Sequence, residues 1–383
     1  MDEILNTGRL LTAVLSDVIN GRVTDFAPDT DFEKLYRLAE AHKVTALAGL
    51  GIVNNETASE KARAVFSKQV FRTAARHAAQ QRETEELSAL FSLNGIAHCF
   101  LKGTKISRYY DIPDSRFMLD LDIFIDESGF DKACALVEER GYELFQADDK
   151  DSEYVKKPFL QIELHRKLKY DYDTGSAYFE NAAERLVPSG DGTALSMTKE
   201  DFYVYILSHT AHHFEVAGTG LRSLTDHYYL RKKLLPECDG ALLDEKLASA
   251  GLKAFAKTLD DLCDYWFCGG EATDFIKQTA DYIILSGVYG STSNNYINGV
   301  IKRGLSENSG AYFLSRLFPP FADMKIRYPV LKKLPVLLPI LWIARLVSSV
   351  FSAKRIAGEA KSAASAGSDD IEARKTFFKN AGL

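Results

Sequence analysis

Two kinds of hydrophobic pattern divide this chain. Up to about residue 95, apolar side chains recur every three or four positions, most regularly between Ser59 and Leu93, and Asn94-Gly95 closes the pattern as a helix C-terminus does. Between residues 96 and 170 the apolar positions come in short runs bounded by glycine, proline or charged residues, which is typical of strands. From about Lys199 onward the helical spacing returns.

This order of elements predicts an α+β protein, in which a small α/β core with a mixed sheet is flanked by N-terminal and C-terminal helical segments. We predict an N-terminal helical region at 1–95, the core at 96–170, a helical domain at 171–320, and an apolar helix with a mobile tail at 321–383. The core contains one predicted helix, Asp126–Arg140. Its predicted strands are Ile96–Leu101, Met118–Ile125, Tyr142–Gln146, Tyr154–Lys157 and Phe159–Lys167.

The segment from Val330 to Phe351 is strongly apolar but too short to span a membrane. Its longest stretch without a charged residue, Leu334–Ala344, falls short of the ~20 residues that a spanning helix needs. Two alternatives remain. The segment is either a helix buried in the fold, which we favour, or a helix that makes a weak membrane-surface contact through residues 330–351.

Composition excludes several classes of protein. The chain has 383 residues, 46% of them hydrophobic, with a net charge of −6 and a pI near 5.8. This composition favours a folded protein, and its acidic balance argues against binding nucleic acid by bulk positive charge. Five cysteines without a CxxC pair argue against a disulfide framework or a zinc ribbon. The acidic N-terminus lacks a long apolar run, so we expect a cytoplasmic protein without a signal peptide.

The strongest chemical signal lies in the second predicted strand. Asp120 and Asp122 are two positions apart, so in a strand both carboxylates lie on the same side. Two neighbouring carboxylates on an apolar strand repel each other unless a cation lies between them. Mg²⁺ is the natural partner because it prefers carboxylate and phosphate oxygens.

A third carboxylate comes from the last strand of the core. Gln161, Glu163 and His165 alternate with apolar residues and therefore share one face. If this strand lies beside that of Asp120, Glu163 completes an acidic cluster; the alternative is an exposed strand position. Two aspartates and a further carboxylate are what two-metal phosphoryl transfer needs, since one ion activates the attacking oxygen and the other steadies the triphosphate.

Lys102 and Gly103 stand where the first strand ends and a helix begins. Gly103 allows the backbone to approach a ligand closely, and the N-terminus of a helix attracts phosphate. Lys102 and Arg116 are able to add charge-assisted contacts. The alternatives are structural, because Lys-Gly is a common strand-to-helix turn and Arg116 is also able to pair with Asp111 or Asp114 at the surface.

In combination these residues resemble the uncharacterised bacterial nucleotidyltransferase family of the DNA polymerase beta superfamily, whose pattern is roughly LKG, YxxPxxR, DxD and E-[LI]-H. The matching positions are Leu101-Lys102-Gly103, Tyr110, Pro113, Arg116, Asp120-Leu121-Asp122 and Glu163-Leu164-His165. The resemblance implies a minimal nucleotidyltransferase core whose ligands for two Mg²⁺ ions are Asp120, Asp122 and Glu163. The nucleotide contacts that it implies are Lys102, Gly103, Thr104 and Arg116. The wider superfamily usually carries Gly-Ser where this chain has Gly103-Thr104.

The resemblance continues into the helical domain and covers roughly residues 30–350. The family's H-x-x-x-H…G-[IL]-R-x-x-x-D segment is matched by His209, His213, Gly220, Leu221-Arg222 and Asp226. Arg222 and Asp226 are four positions apart, so we expect a helical ion pair. The candidate substrate contacts are His165, His213, Arg222 and Asp226. For the last three, the alternative is that they lock helices together through hydrogen bonds.

The function that the resemblance implies is Mg²⁺-dependent transfer of a nucleoside monophosphate from an NTP such as ATP to an acceptor hydroxyl, with release of pyrophosphate. In this hypothesis Asp120 and Asp122 hold the metals, and Glu163 holds the acceptor-side ion and helps the hydroxyl lose its proton. Lys102 and Arg116 neutralise the triphosphate. The alternative is a non-catalytic module that binds a nucleotide or a sugar nucleotide within a surface-polysaccharide or peptide-modification system. The acceptor is not implied, because a shared fold carries a reaction class and rarely a substrate.

Overall fold

The protein is an α+β structure, as predicted, in which a five-stranded mixed sheet packs among helices that precede and follow it. The computed structural model describes residues 2–147, 150–169, 174–190, 192–287, 297–299, 301, 318–321, 324–325, 328–348 and 368–383. The sheet and the helices that surround the candidate site lie within these ranges.

The N-terminal helices begin at residues that cap them. Asp31 accepts a hydrogen bond from the backbone N–H of Lys34, and Ser59 accepts one from that of Ala62, so each side chain satisfies a group that the first helical turn leaves free. Gly95, with a φ of 71°, takes the left-handed conformation that ends the long fourth helix. These helices are α1 (Asp2–Ile19), α2 (Phe32–Ala41), α3 (Thr45–Leu50) and α4 (Glu60–Leu93).

All five predicted strands are present in the core. They are β1 (His98–Phe100), β2 (Leu121–Ile125), β3 (Glu143–Ala147), β4 (Asp151–Lys156) and β5 (Leu160–His165), with α5 (Gly103–Ser107) after β1 and α6 (Phe130–Glu139) after β2. The sheet order is β1-β2-β5-β4-β3; β2 runs parallel to β5, and the other neighbours are antiparallel. Every residue of β2 is buried, which explains the apolar run around Asp122.

A short hairpin separates the sheet from the helical domain. It consists of β6 (Val187–Pro188) and β7 (Leu195–Ser196), and Ala194 forms a bridge with His98 at the β1 edge. The range predicted as a helical domain therefore begins with non-helical structure. The helices that follow are α7 (Lys199–Val216), α8 (Leu221–Lys233), α9 (Gly240–Ser249), α10 (Lys253–Phe267) and α11 (Asp274–Ser286).

Two apolar cores hold the sheet and the helices together. The larger core joins α1, α2 and α3 to the helical domain, and the smaller one joins the sheet to α6 and the end of α4. In β2, Phe124 belongs to the larger core and its neighbour Ile123 to the smaller one, so this strand lies at the boundary between them. The candidate site lies at the same boundary, where α7 and α8 face the sheet.

The apolar C-terminal segment forms α12 (Leu338–Ser348) and lies at the surface. Val336 is 77% exposed, and Ile340 and Ile343 are each 62% exposed, so our favoured prediction of a buried helix is wrong. The helix contacts the protein through another face, where Trp342 Nε1 donates a hydrogen bond to the carbonyl of Pro319 at 3.0 Å. Among the described residues, none of the helices combines the length and the apolar composition needed to cross a bilayer.

The last described element is a packed helix, α13 (Ser368–Ala381), which overlaps only the end of the range 359–373 that we predict as a mobile tail. Phe377 and Phe378 are buried, and the ring of Phe377 stacks on that of Phe214 with centroids 5.8 Å apart. The hydroxyl of Thr258 also donates to the carbonyl of Ala381 at 3.1 Å. Residues 349–367 lie outside the described part of the chain.

Candidate active site

A cavity of about 330 Å³ opens between the sheet and the helices α7 and α8. Most of the residues that the sequence singled out line it: Lys102, Gly103, Arg116, Asp120, Asp122, Glu163, His165, His213, Arg222 and Asp226. Thr104 does not; it is buried in α5 outside the lining. The α/β core and the helical domain therefore both contribute to one polar cavity.

Three potential metal ligands lie at the centre of the cavity. Asp122 of β2 is the direct register partner of Glu163 of β5, so the strand of Glu163 does lie beside that of the two aspartates. One ligand atom each from Asp122, Glu163 and His165 all lie within 4.8 Å of one another. His165 Nε2 is 3.1 Å from Asp122 Oδ1 and 3.7 Å from Glu163 Oε2. These donors suit a divalent cation that favours oxygen ligands.

Asp120 lies at the same cavity but outside this group of three. It immediately precedes β2 and is half-buried. Burial and the negative charge of Asp122 together raise the pKa of the Asp120 carboxyl. The two aspartates thus interact electrostatically, as their spacing predicted, and Glu163 and His165 are the closer partners of Asp122.

Lys102 provides the positive charge that offsets the buried carboxylates. Its Nζ lies 2.7 Å from Asp122 Oδ1, and the exposed fractions of the two side chains are 17% and 6%. Burial alone would raise the pKa of Asp122, but Lys102 and the hydrogen bond from His165 hold it well below its usual value. Burial likewise opposes the charged form of His165, yet Asp122 and Glu163 raise the pKa of this imidazole.

Glu163 has a different electrostatic environment from that of Asp122. Burial raises the pKa of its carboxyl to about 7; the positive charge of His165 opposes this rise, and the negative charge of Asp122 adds to it. The two paired carboxyls of the sheet are therefore unequal proton acceptors. Such inequality is typical of catalytic sites, where neighbouring carboxyls take different protonation roles.

Arg116 forms a buried ion pair with Asp226 of α8. Its Nε and Nη2 donate to the two carboxylate oxygens at 2.6 and 2.7 Å, and both side chains are at most 8% exposed. The hydroxyl of Tyr110 donates to the same carboxylate at 2.7 Å and lies 2.9 Å from that of Thr225. The guanidinium of Arg116 thus ties the core to α8, and neither Asp111 nor Asp114 is its partner.

The predicted helical pair between Arg222 and Asp226 does not form, because Asp226 is bound to Arg116 and Tyr110. Arg222 lines the cavity, and its buried Nε has no hydrogen-bond partner. Among the described residues its guanidinium takes part in no ion pair. Burial and the negative charge of Asp122 raise the pKa of Asp120, and the positive charges of Lys102 and Arg222 offset part of this rise. Arg222 is therefore a cation of the cavity lining with a buried Nε that no described residue pairs.

One face of α7 forms the opposite wall of the cavity. Tyr205, His209 and His213 recur every four positions along it, and the Nε2 atoms of the two histidines are 3.0 Å apart. Burial, aided by neighbouring positive charges, lowers the pKa of His209 well below its usual value and that of His213 to about 3. Both imidazoles are therefore neutral at neutral pH, and this wall offers hydrogen bonds rather than positive charge.

Sequence reasoning missed several residues of the lining, among them the polar side chains of Tyr205 and Lys169. Tyr205 carried a usable signal, because it precedes His209 by one helical turn and shares its face. Lys169 follows β5 in a stretch without hydrophobic periodicity, so no pattern pointed to it.

Gly103 has a structural reason to be glycine. A Cβ atom at this position would lie 2.7 Å from the sulfur of Met118, closer than real contacts allow. The turn between β1 and α5 therefore packs directly against the segment that leads into β2. This packing accounts for the glycine alongside its predicted role near a ligand.

Comparison with known proteins adds one finding. Residues 28–268, more than half of the chain, match the model of a family described as an uncharacterised nucleotidyltransferase. This range contains the whole sheet and the helices α7 and α8 that close the cavity. Comparisons with curated proteins and with solved structures gave no significant match.

Proposed function

The chain belongs to this family of nucleotidyltransferases, and we propose that it transfers a nucleoside monophosphate from an NTP to an acceptor hydroxyl in a reaction that needs Mg²⁺. The observation that carries the proposal is the cluster of Asp122, Glu163 and His165 beside Lys102. The cluster lies in a cavity that is lined by both the α/β core and the helical domain.

The residues of the cluster fit a divalent cation. Asp122 and Glu163 supply carboxylate oxygens and His165 a ring nitrogen within 4.8 Å of one another, and Asp120 adds a further carboxyl for a second ion. When bound, such ions stabilise the charge of the phosphates and make the attacking hydroxyl more acidic. His165 is a candidate ligand that this donor set adds to Asp120, Asp122 and Glu163.

The phosphates need cations, and the cavity offers two of different kinds. Lys102 lies against Asp122, where it is able to contact a phosphate held by the same cluster. Arg222 has a buried Nε without a partner, and a guanidinium binds phosphate oxygens with two donors at once. We therefore assign the triphosphate to Lys102 and Arg222.

Arg116 is a positioning residue in this proposal. Its ion pair with Asp226 fixes α8 against the core, and Arg222 lies four residues before Asp226 on the same helix. One helical turn thus carries both the residue that anchors α8 and the residue assigned to the substrate.

In the proposed reaction the acceptor oxygen forms a bond to the α-phosphorus, and the bond between that phosphorus and the α,β-bridging oxygen breaks. Pyrophosphate leaves with the electron pair of the broken bond. Lys102 and Arg222 stabilise the negative charge that develops on it. Glu163, on the strand next to Asp122, receives the proton that the acceptor hydroxyl loses.

A thermal-shift titration with ATP, CTP, GTP and UTP, with and without Mg²⁺, tests the proposal without knowledge of the acceptor. A ligand that binds only the folded protein raises the melting temperature by mass action. We expect at least one NTP to raise it in the presence of Mg²⁺, and Asp122→Asn to abolish the metal-dependent part of the shift. The matched control is Asp274→Asn, which alters a fully exposed carboxylate on α11.

Two outcomes would contradict the proposal. If no NTP shifts the wild type at any Mg²⁺ concentration, the cavity does not bind nucleotide. If an NTP shifts the wild type and Asp122→Asn equally, and Mg²⁺ has no effect, the chain is better described as a non-catalytic nucleotide-binding module.

A further inference from the structure

The apolar helix α12 presents its most hydrophobic face to solvent. Ile340 and Ile343, three positions apart on one face of the helix, are each 62% exposed, and Val336, in the turn just before the helix, is 77% exposed. Leu334, 51% exposed, and Val330, 42% exposed, continue the apolar surface toward the preceding turns. We define these five side chains as the apolar stripe.

The opposite side of the helix is the side that holds it to the protein. Trp342 Nε1 donates to the carbonyl of Pro319, and its ring meets that of Phe318 edge-on with centroids 5.4 Å apart. Trp342 therefore anchors the helix in the orientation that leaves Ile340 and Ile343 outside. A helix that carries apolar side chains on its exposed side, as well as on the side that holds it to the protein, is expected to meet a second apolar phase.

The sequence of the segment that contains the stripe is strongly one-sided in charge. Between Met324 and Gly358 the sequence contains seven lysines and arginines and no aspartate or glutamate, although the chain as a whole has a net charge of −6. Lys325 and Lys333 are exposed within the described part of this segment. A surface that combines exposed aliphatic side chains with exposed lysines complements an anionic lipid surface.

We propose that the apolar stripe and its flanking cations dock the protein on the surface of a membrane that contains anionic lipids. The helix lies in the interface and does not cross it, in keeping with the 11 residues of its described part. Ile340 and Ile343 insert among the acyl chains, and Lys325 and Lys333 contact the headgroups. This role is independent of the proposed reaction, because the stripe shares no residue with the cavity lining.

Co-sedimentation of the full-length protein with vesicles tests the inference. One set of vesicles is phosphatidylcholine alone, and the other is phosphatidylcholine mixed with phosphatidylserine. We expect the wild type to bind the anionic vesicles and to be released by high salt. Ile340→Asp/Ile343→Asp should lower the partition coefficient at least about tenfold, since both side chains leave the apolar phase.

A charge variant and a matched control separate the two parts of the surface. Lys325→Glu/Lys333→Glu should weaken binding by about fivefold or more per position and reduce its dependence on salt. Val23→Asp introduces the same kind of charge at a residue that is 83% exposed and outside the segment, so it should bind like the wild type. Circular dichroism spectra of the variants check that all of them are folded.

The inference is overturned if the wild type pellets with neither kind of vesicle. It is also overturned if Val23→Asp and Ile340→Asp/Ile343→Asp lose binding to the same extent. If the wild type binds neither kind of vesicle and elutes as a dimer, and Ile340→Asp/Ile343→Asp elutes as a monomer, the stripe is instead an interface with a second copy of the chain.

Discussion

Asp226→Asn is the substitution that most directly tests how the helical domain is held against the core. The change keeps the shape of the side chain and removes its charge, which leaves the guanidinium of Arg116 buried without a counter-ion. The Nε and Nη2 of Arg116 lie 2.6 and 2.7 Å from the carboxylate oxygens, and Asp226 and Arg116 are at most 8% exposed. Removing one partner of such a buried pair typically costs about 3–5 kcal/mol.

We expect this loss in the free energy of unfolding, measured by urea titration followed by circular dichroism at neutral pH. Tyr110→Phe removes one hydrogen bond to the same carboxylate, so it should cost about 1–3 kcal/mol. Asp274→Asn, at an exposed carboxylate, serves as the control and should stay within about 0.5 kcal/mol of the wild type.

The double variant Arg116→Met/Asp226→Leu makes the argument refutable. Replacing both partners of a buried pair by apolar residues is often neutral, so the double variant should recover most of the stability that Asp226→Asn loses. If Arg116 only positions α8, the double variant should also keep its affinity for the NTP, as measured by calorimetry. If the stable double variant no longer binds NTP while Arg222→Gln binds it like the wild type, Arg116 rather than Arg222 contacts the nucleotide, and our assignment is wrong.

Three further predictions follow from other parts of the molecule. Arg222→Gln should weaken NTP binding in calorimetry by about 10- to 100-fold, the value of a charged hydrogen bond, and leave the urea midpoint unchanged; a shifted midpoint would indicate a structural role. Lys102→Met removes the ammonium that lies 2.7 Å from Asp122, so Mn²⁺ titrations should show about tenfold tighter metal binding, and weaker binding would contradict the site. Burial lowers the pKa of His42 from 6.5 to about 4 in the folded protein. As the pH falls, His42 therefore takes up a proton in the unfolded chain before it does so in the folded protein. The wild type should therefore lose up to about 3 kcal/mol of stability between pH 6.5 and 4, and His42→Gln should show a flatter profile in urea titrations across this range.

The sheet and its acidic pair were accessible from sequence because both depend on short-range patterns. The alternation around Glu163 defined which side chains share a face, and the buried run around Asp122 marked a strand covered on both sides. That Asp122 and Glu163 are neighbours followed from one assumption, namely that their two strands pair. The observed register of Asp122 with Glu163 confirms this pairing. The same kind of local pattern located the ends of α4 at Ser59 and Asn94.

Long-range packing was not accessible in the same way. Whether α12 is buried or exposed depends on the rest of the chain. An apolar pattern shows that a segment favours leaving water, but it does not show whether protein or lipid covers that segment. The buried aromatic pair of α13, Phe377 and Phe378, is a second case, since its partner Phe214 lies more than 160 positions earlier in the sequence. Composition over a short window cannot reveal a contact of that kind.

The two arginines of the cavity show most clearly why a motif does not assign a role. Arg116 stands directly before the DxD strand and Arg222 follows the histidines of α7, so sequence alone favours Arg116 as the phosphate ligand. In the fold the Nε and Nη2 of Arg116 both donate to a carboxylate 110 positions away, whereas Arg222 has no carboxylate partner among the described residues. A guanidinium that is already bidentate on a buried carboxylate must break that pair before it can bind phosphate, whereas a guanidinium with an unpartnered Nε gives up no protein contact at that atom. The difference in free energy between these two situations, rather than distance from the motif, decides which arginine is available to a substrate.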